Sequence, residues 1–150
     1  MGRVLDITEK AWPVLNRLMK AHTVVYRATG GVIGHTAPGL PTMLLLDHVG
    51  AKSGIKRTIP LLYVRDGDDI VLIASKGGHP KNPAWFYNLK AHPETAVQVG
   101  REKRAVRARV AAPDERPRLW AKAVARWSSF ESYQARIPHR EIPVVVLERR

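Results

Sequence analysis

Six short segments rich in β-branched and apolar residues constrain the fold of this 150-residue chain more than any other feature. Each is bounded by turn-forming residues, and each is predicted to be a strand: residues 43–49, 57–65, 70–74, 95–99, 103–110 and 142–148. Asp66-Gly67-Asp68 favours a hairpin turn, and Pro60, which has no backbone N–H, places the second strand at an edge or a bulge. Because residues 70–74 are apolar on both faces, we expect a barrel or a sheet covered on both sides.

The spacing of apolar residues also predicts three helices. Residues 7–26 place apolar side chains at intervals of three and four, which indicates an amphipathic helix. A Gly- and Pro-rich stretch follows, so we divide the chain into residues 1–41 and a β domain of residues 42–150. A helix over residues 83–91 is expected to cap the barrel, and a last helix begins at Asp114 and Glu115. The predicted fold class is mainly β with helices (α+β), with an N-terminal helix.

The chain carries a strong excess of positive charge, with 25 Lys and Arg against 13 Asp and Glu and a formal net charge of +12. This excess predicts an anionic partner, which can be nucleic acid, a membrane surface, or a phosphorylated or carboxylated small molecule. Cysteine is absent, which excludes disulfides, thiolate zinc sites and thiol catalysis, so redox chemistry would need a bound cofactor. The six histidines lack metal-ligand spacing, and we assign no metal.

Two features of the sequence bear on location. No apolar run approaches the ~20 residues that cross a bilayer, and the N-terminus lacks the apolar region of a signal peptide, so a cytoplasmic protein is expected. The predicted helix over residues 7–26 carries Lys10, Arg17 and Lys20 around its apolar stripe, with Arg27 directly after it. It therefore either packs on its own domain or lies on the anionic inner face of the cell membrane.

Two basic clusters that contain glycine are candidates for an anion site. One combines Lys52-Ser53-Gly54 with Arg57 and Thr58, and the other is Ser75-Lys76-Gly77-Gly78, directly after the third predicted strand. Each joins a flexible backbone, which can present N–H groups, to a hydroxyl and a cation. Together the two clusters would hold a phosphate.

Six motifs occur in an order and spacing that point to one protein family. They are Gly50-Ala-Lys-Ser-Gly54, Arg57-Thr-Ile-Pro60, Ala74-Ser-Lys-Gly-Gly78, Asn82-Pro-Ala-Trp85, Asn88-Leu-Lys-Ala-His-Pro93 and Ile142-Pro-Val-Val-Val146. From Thr42 to its end, the chain resembles the deazaflavin-dependent nitroreductase and quinone reductase family of mycobacteria and related actinobacteria. This resemblance implies a split β-barrel similar to that of FMN-binding proteins and pyridoxamine-phosphate oxidases. It also implies that the reduced deazaflavin coenzyme F420 is the hydride donor.

The resemblance implies a cofactor-binding role for both basic clusters and for the helix over residues 83–91. The phosphodiester and glutamate tail of the cofactor would meet Lys52, Ser53, Gly54, Arg57 and Thr58. The deazaflavin ring would be lined by Pro60, Leu61, Leu62, Ala74, Ser75, Lys76 and Gly77, with further contacts from Ala84, Trp85, Phe86 and Asn88. A cofactor with several negative charges also accounts for the surplus of basic residues.

The same resemblance implies residues that act on the electron acceptor. Ser75 would stabilise charge that develops on the acceptor, and Tyr133 would donate a hydrogen bond or a proton. The acceptor pocket would be lined by Leu62, Trp127, Phe130 and Tyr133. The nitroreducing member of the family has tyrosines at all four of these positions, and this chain keeps only Tyr133, so it lacks hydroxyls that would select nitroimidazoles. We expect flat, poorly soluble acceptors, namely quinones or conjugated enones and lactones such as coumarins and aflatoxins, with nitro compounds as a further class.

Two alternatives remain open from the residues. The same barrel could hold FMN or haem, although a shorter flavin phosphate would leave the surplus of basic residues unexplained. The chain could instead be a nucleic-acid-binding domain that contacts phosphates through the following basic residues: Arg101, Lys103, Arg104, Arg107 and Arg109. With F420 as cofactor, no nucleic-acid partner is expected, and the barrel would be a monomer or a homodimer.

Overall fold

The computed structural model describes Val14, residues 16–27 and residues 42–150. The strands are β1 (Met43–Val49), β2 (Lys56–Leu62), β3 (Val64–Asp66), β4 (Asp69–Ile73), β5 (Glu94–Val99), β6 (Glu102–Val110) and β7 (Val144–Arg149). The helices are α1 (residues 16–27), α2 (Ala84–Ala91), α3 (Arg116–Arg126) and α4 (Ser129–Arg136), with a single 3-10 turn at Lys76–Gly78.

The seven strands form one antiparallel sheet that curls into a barrel. The strand order is β2-β1-β5-β6-β7-β4-β3, so β2 and β3 lie at opposite edges of the hydrogen-bonded sheet. Only Tyr63 separates these two strands in the sequence. Because two residue steps of extended chain span only about 7 Å, the two edges of the sheet must meet at Tyr63.

The strand predictions are confirmed, with one change at Tyr63. The predicted strand over residues 57–65 is two strands, because the chain leaves its partner β1 at Tyr63 and pairs with β4 instead. The hairpin at residues 66–68 is confirmed, since Asp66 pairs with Asp69 around Gly67, whose φ is +61°. Pro60 lies on an edge strand as predicted, where its missing N–H costs little.

Of the helix predictions, the cap over residues 83–91 is confirmed as α2, and the last helix is confirmed as α3. The N-terminal helix is confirmed over residues 16–27, whereas its predicted start at residue 7 and the Gly- and Pro-rich stretch before residue 42 lie outside the described residues. The sequence analysis missed α4. In this short helix only Phe130 is buried, so its apolar periodicity is too weak to predict it.

Two apolar cores lie on the two faces of the sheet. The interior of the barrel is filled by side chains from the strands and by Trp85, Phe86 and Leu89 of α2. A second core on the outer face packs β4 and β7 against α3 and α4, with Leu119 and Phe130 among its buried residues. The predicted burial of residues 70–74 on both faces is confirmed, because Ile70 and Leu72 belong to the first core and Val71 to the second.

The end of α1 is anchored to the barrel through Tyr26. This tyrosine is fully buried, and its hydroxyl accepts a hydrogen bond of 2.7 Å from the backbone N–H of Gly100. The hydroxyl also lies 3.2 and 3.3 Å from the carbonyl oxygens of Met43 and Gln98. Burial raises the pKa of Tyr26 above its ordinary value. α1 is therefore part of the folded domain and contributes to the wall of the cavity described below.

The basic row on β6 is paired with carboxylates. Arg107 contacts Glu94 at 3.1 Å, and Arg109 contacts Glu115 at 2.6 Å and Glu148 at 3.1 Å. The Arg104 side chain is buried and donates to Glu102 and to the carbonyl oxygen of Asp68. These pairings engage three of the five basic residues that the nucleic-acid interpretation would direct at phosphates.

Asp66 attaches α3 to the β3–β4 hairpin. Its carboxylate accepts hydrogen bonds of 2.6 and 3.1 Å from Arg118 and one of 2.8 Å from Lys122. The hydrogen bond from Arg118, followed by that from Lys122, lowers the pKa of Asp66 from 3.8 to about 2. Because the folded-state pKa is depressed, this contribution to stability is present above the ordinary pKa and is lost as the pH falls towards 2.

We expect Asp66→Asn to lower the free energy of unfolding by about 1 kcal/mol at neutral pH, a value reduced for the partial exposure of the pair. Urea unfolding at pH 7 and at pH 2 tests this. The two proteins should differ at pH 7 and come close together at pH 2, where Asp66 is about half protonated in the folded parent and most of its contribution to stability is lost. Equal stability at pH 7 would show that the ion pairs contribute nothing. Exposed Asp114→Asn is the matched control.

Candidate active site

A cavity of about 840 Å³ opens between α1, β2, α2 and the 3-10 turn, a size usual for small-molecule sites. Its lining residues come from the helices, from strands β1, β2 and β4, and from the turn. They are Asn16, Met19, Lys20, His48, Arg57, Thr58, Ile59, Pro60, Leu61, Leu62, Leu72, Ile73, Ser75, Lys76, Gly77, Pro83, Ala84, Trp85 and Phe130.

The polarity of the wall changes along β2. Arg57 lies near the start of this strand, and Pro60, Leu61 and Leu62 form its end. At about 3.3 Å per residue, Arg57 and Leu62 are separated by about 16 Å. The wall therefore carries a cation at one end of β2 and an apolar surface at the other. Such a gradient suits a flat ring joined to an anionic chain.

The 3-10 turn after β4 has an unusual backbone. Lys76 has a φ of +48°, the only positive φ at a non-glycine residue in the described part of the chain, and Gly77 and Gly78 follow at +63° and +81°. Left-handed conformations at non-glycine residues cluster at functional sites, where the surrounding structure maintains them. A Cβ on Gly78 would lie 3.2 Å from the Cα of Tyr133, so glycine is also needed for close packing on α4.

Arg140 holds this turn in place from behind. Its side chain donates to four acceptors, the carbonyl oxygens of Ala74, Ser75 and His79 and the side-chain oxygen of Asn82. Burial lowers the pKa of Arg140 below its ordinary value, as expected for a cation removed from water. The sequence analysis missed this residue because its partners lie about 60 positions earlier in the chain.

Asn88 connects α2 to the end of β1. Its side-chain oxygen accepts a hydrogen bond of 2.9 Å from the backbone N–H of Ala51, and its nitrogen lies 2.9 Å from Nδ1 of His48. Both residues of this second contact are buried. Burial, followed by the charge of Arg57, lowers the pKa of His48 below its ordinary value, and Asp47 opposes this shift. Asn88 thus fixes the imidazole in the cavity wall.

The structure brings most of the predicted cofactor residues together in the cavity. Those that line it are Arg57, Thr58, Pro60, Leu61, Leu62, Ser75, Lys76, Gly77, Ala84 and Trp85. The hydroxyl of Thr58 is nevertheless engaged elsewhere, with Asp47 at 2.6 Å and Arg27 at 3.1 Å. Thr58 can therefore contact a ligand with its hydroxyl only if these bonds are released.

Six predicted cofactor residues do not line the cavity. Lys52, Ser53 and Gly54 form an exposed turn in which the Ser53 hydroxyl accepts a hydrogen bond from the N–H of Ile55. Ala74, Phe86 and Asn88 are buried behind the wall, where Phe86 belongs to the interior core. Their contact with the cofactor therefore stays a prediction.

The four predicted acceptor residues lie close together, but only two line the cavity. Leu62 and Phe130 do so, and they also border a much smaller cavity that includes Trp127. Tyr133 packs edge-on against Phe130, with ring centroids 6.2 Å apart, and touches Gly78. Trp127 and Tyr133 therefore support Phe130 from behind.

Eight lining residues were not predicted from the sequence: Asn16, Met19, Lys20, His48, Ile59, Leu72, Ile73 and Pro83. For Lys20 and His48 no local signal exists, because each reaches the cavity through packing between distant segments. Ile59 could have been found from its position within the recognised Arg57-Thr-Ile-Pro60 motif.

No group of three or more His, Asp or Glu side chains that could hold a metal occurs in residues 16–27 and 42–150. Within the same residues, no helix combines the length and apolar character needed to span a membrane.

The donor set of the cavity fits a reduced deazaflavin with an anionic tail. Lys20, Arg57 and Lys76 supply positive charge, while Leu62, Trp85 and Phe130 supply apolar surface for a ring. A curled antiparallel barrel with such a cavity defines the split-barrel proteins that bind flavin-type cofactors. Within this class, the model of the F420H(2)-dependent quinone reductase family matches residues 18–149, and the chain belongs to that family.

Individual relatives agree with this assignment. The chain is 43% identical over 137 residues to an F420H(2)-dependent quinone reductase of Mycobacterium tuberculosis, covering 89% of this chain and 91% of the relative. The solved structure of an F420-H2 dependent reductase has a TM-score of 0.65 and 38% identity, covering 71% of this chain and 93% of the other. A structure described as a domain-swapped dimer has a TM-score of 0.69 and 34% identity, covering 86% and 94%.

A provisionally assigned pyridoxamine 5′-phosphate oxidase from Listeria innocua shares the fold alone, with a TM-score of 0.50 and 11% identity, covering 71% of this chain and 82% of the other. The split-barrel prediction is confirmed, and so is the predicted family. The protein is an oxidoreductase that uses reduced F420. F420 is therefore the cofactor, rather than the FMN or haem that the residues alone left open.

Proposed function

We propose that the cavity beside β2 is the site where F420 and the electron acceptor meet. The observation that carries this proposal is that ten of the predicted cofactor residues line one cavity, which no single motif could arrange. When bound there, the reduced deazaflavin supplies a hydride. The chain then has to hold a ring and an acceptor in contact, exclude water and stabilise charge on the acceptor.

Each of these tasks has candidate residues in the wall. Arg57, Lys20 and Lys76 would bind the phosphodiester and the glutamate tail through charge-assisted hydrogen bonds. Pro60, Leu62 and Trp85 would enclose the ring and exclude water. Ser75, which is buried and lines the cavity, would donate a hydrogen bond to the acceptor oxygen as it gains charge. Tyr133 remains a candidate proton source only if Phe130 moves, because it lies behind that ring.

Quinones are the proposed principal acceptors, in keeping with the family. Conjugated enones and lactones such as coumarins and aflatoxins are proposed as further acceptors, because Leu62 and Phe130 give the cavity an apolar end without a hydroxyl. Nitro compounds are proposed as poor substrates for the same reason. Steady-state assays of F420H2 oxidation with each class test this ranking. Faster turnover of a nitroimidazole than of a quinone would overturn it.

Titration of the full chain with oxidised F420, followed by cofactor fluorescence and run beside FMN at the same salt, tests the site. We expect F420 to bind clearly more tightly than FMN, because FMN lacks the tail that the cations would meet. Equal affinity would show that the tail is not recognised. Titration of a single-stranded oligonucleotide in the same buffer tests the remaining alternative, and we expect no binding.

Ser75→Ala should lower kcat with a quinone by about tenfold while leaving the F420 dissociation constant nearly unchanged, because the lost hydrogen bond forms with the acceptor in the transition state. Kinetics with saturating F420H2, together with F420 titration, give the two quantities. Ser53→Ala is the matched control, since that hydroxyl is bonded within an exposed turn. Loss of F420 affinity with unchanged kcat would move Ser75 to the cofactor.

The exposed face of α1 is proposed to contact an anionic membrane surface. Leu18 on α1 is 61% exposed, Val14, one helical turn earlier, is 59% exposed, and Arg17 is next to Leu18. Leu18→Glu should weaken co-sedimentation with vesicles of anionic phospholipid, whereas Val110→Glu, at an exposed site on β6, should not. Equal sedimentation of all three proteins would contradict the proposal.

We also propose that the protein forms a homodimer, because the related structure with 34% identity is described as a domain-swapped dimer. Light scattering after size-exclusion chromatography tests this, and a monomeric mass at all concentrations would contradict it.

A further inference from the structure

His48 is a titratable group in the cavity wall that none of the six motifs includes. It lies near the end of β1, on the same face as the buried Leu44 and Leu46. Its cross-strand partner in β2 is Arg57, and directly opposite residues of an antiparallel pair share a face. The imidazole and the guanidinium are therefore neighbours in the same wall.

The hydrogen bonds of Asn88 determine which ring nitrogen of His48 carries the proton. The side-chain oxygen of Asn88 accepts from the N–H of Ala51, so its other side-chain atom is the nitrogen, a donor. Nδ1 of His48, 2.9 Å away, must then accept. In the neutral imidazole the proton lies on Nε2, for which the described residues provide no hydrogen-bond partner.

The charges around His48 favour its neutral form while the cavity holds no anion. Arg57 faces it from β2, and Lys20 of α1 and Lys76 of the 3-10 turn line the same cavity. Asp47, next to His48 on β1, favours the protonated form instead. Its carboxylate also contacts Thr58, Arg27 and Lys56. An anion bound by Arg57 would lie close to Nε2 and would favour the protonated form of His48.

We propose that His48 is a further cofactor-binding residue, which donates a hydrogen bond from Nε2 to an anionic group of F420 and takes up a proton when the cofactor binds. Nδ1 accepts this proton when the Asn88 amide turns so that its oxygen faces Nδ1, which breaks the hydrogen bond between that oxygen and the N–H of Ala51. The inference rests on the proposed location of F420 beside Arg57. The anionic group is either the phosphodiester or a carboxylate of the tail, since both accept such a bond.

Proton uptake by His48 would make F420 affinity depend on pH. Burial and Arg57 lower the pKa of His48 below 6.5 in the free protein, and a neighbouring anion would raise it in the complex. Between these two pKa values, F420 affinity should increase by up to about tenfold for each unit of falling pH. Outside this interval the contribution of His48 should be constant.

Isothermal titration calorimetry of the full chain with oxidised F420 measures the proton uptake directly. Titrations at pH 6.5 in two non-phosphate buffers with different ionisation enthalpies give the number of protons bound with the cofactor. The wild type should take up more protons on binding F420 than His48→Asn does. His139→Gln, at an exposed histidine, is the matched control and should match the wild type. Equal uptake by the wild type and His48→Asn overturns the inference.

Two further ligands show which part of F420 causes the proton uptake, and one further measurement shows whether His48 takes up the proton. The deazaflavin core without phosphodiester and tail keeps the ring hydroxyl, so any uptake due to the ring itself appears equally with core and F420. F420 without its glutamates separates the phosphodiester from the tail carboxylates. An NMR titration of the His48 ring in the wild type, with and without F420, should show a pKa that rises on binding. An unchanged pKa overturns the inference even if the variant misfolds.

Failure of this inference can be told apart from failure of the proposed site. If Arg57→Ala weakens F420 binding while His48→Asn leaves proton uptake unchanged, the site stands and the role of His48 is wrong. If neither Arg57→Ala nor His48→Asn affects F420 binding or proton uptake, the proposed site itself is wrong, and the inference falls with it.

Discussion

Replacement of Arg140 by alanine should lower the free energy of unfolding by about 3 kcal/mol or more and abolish most of the activity. The guanidinium donates to four acceptors, three of them backbone carbonyl oxygens around the 3-10 turn. Without it, these buried acceptors lose their donor, and each unsatisfied group costs about 1 to 3 kcal/mol unless water replaces the bond. The left-handed Lys76 also loses the hydrogen bonds that hold the neighbouring Ser75 and His79.

Urea unfolding measured with the intrinsic tryptophan fluorescence checks this prediction. Arg140→Lys should recover only part of the stability, because one ammonium group cannot reach acceptors arranged around a planar fork. Arg101→Ala, at an exposed arginine, controls for the loss of positive charge. A change in unfolding free energy below about 1 kcal/mol for Arg140→Ala would show that water satisfies the turn as well as the guanidinium does.

The second large effect concerns cofactor binding. We expect Arg57→Ala to weaken F420 binding by about 30-fold, which corresponds to about 2 kcal/mol for a charge-assisted hydrogen bond in a partly enclosed cavity. The folded state should lose little stability, because the Arg57 side chain is exposed and forms no ion pair with a described residue. Fluorescence titration with F420 measures the affinity, and thermal unfolding measures the stability.

Lys52→Ala is the matched control for Arg57→Ala. The sequence motifs give both cations the same role, but the structure places Lys52 on an exposed turn outside the cavity lining. We therefore expect a loss of affinity of less than about threefold for Lys52→Ala, as for a screened surface charge. The loss for Arg57→Ala should also shrink as salt is added. Equal losses for the two variants would place the anionic tail over the turn instead.

The strands, the hairpin at Gly67 and the helices α2 and α3 could be predicted because their signals are local. Alternation of apolar residues, a hairpin sequence and helical spacing act over fewer than about a dozen neighbouring positions. The family could also be predicted, since its motifs are short and keep their order. Two-sided burial of β4 was visible for the same reason, as an uninterrupted apolar run.

The sequence alone could not identify how distant segments meet. The change of partner at Tyr63 closes the barrel, yet nothing near this residue distinguishes a bent strand from a straight one. The predicted role of Asn88 shows the same limit, because its motif suggests a ligand contact whereas its hydrogen bonds go to His48 and Ala51. A short sequence pattern does not determine which partner a polar side chain will bond once the strands and helices pack together.

The sequence by itself therefore determined most of the strands and helices, which follow from residue type and spacing along the chain, and its resemblance to a known family indicated the cofactor class. Only the tertiary structure decided which predicted residues form the cavity wall, that α1 contributes Lys20 to it, and that Arg140 supports the turn beneath Ser75. The physical reason is that hydrogen bonds and burial depend on distances in space, and residues separated by tens of positions become neighbours only when the barrel closes.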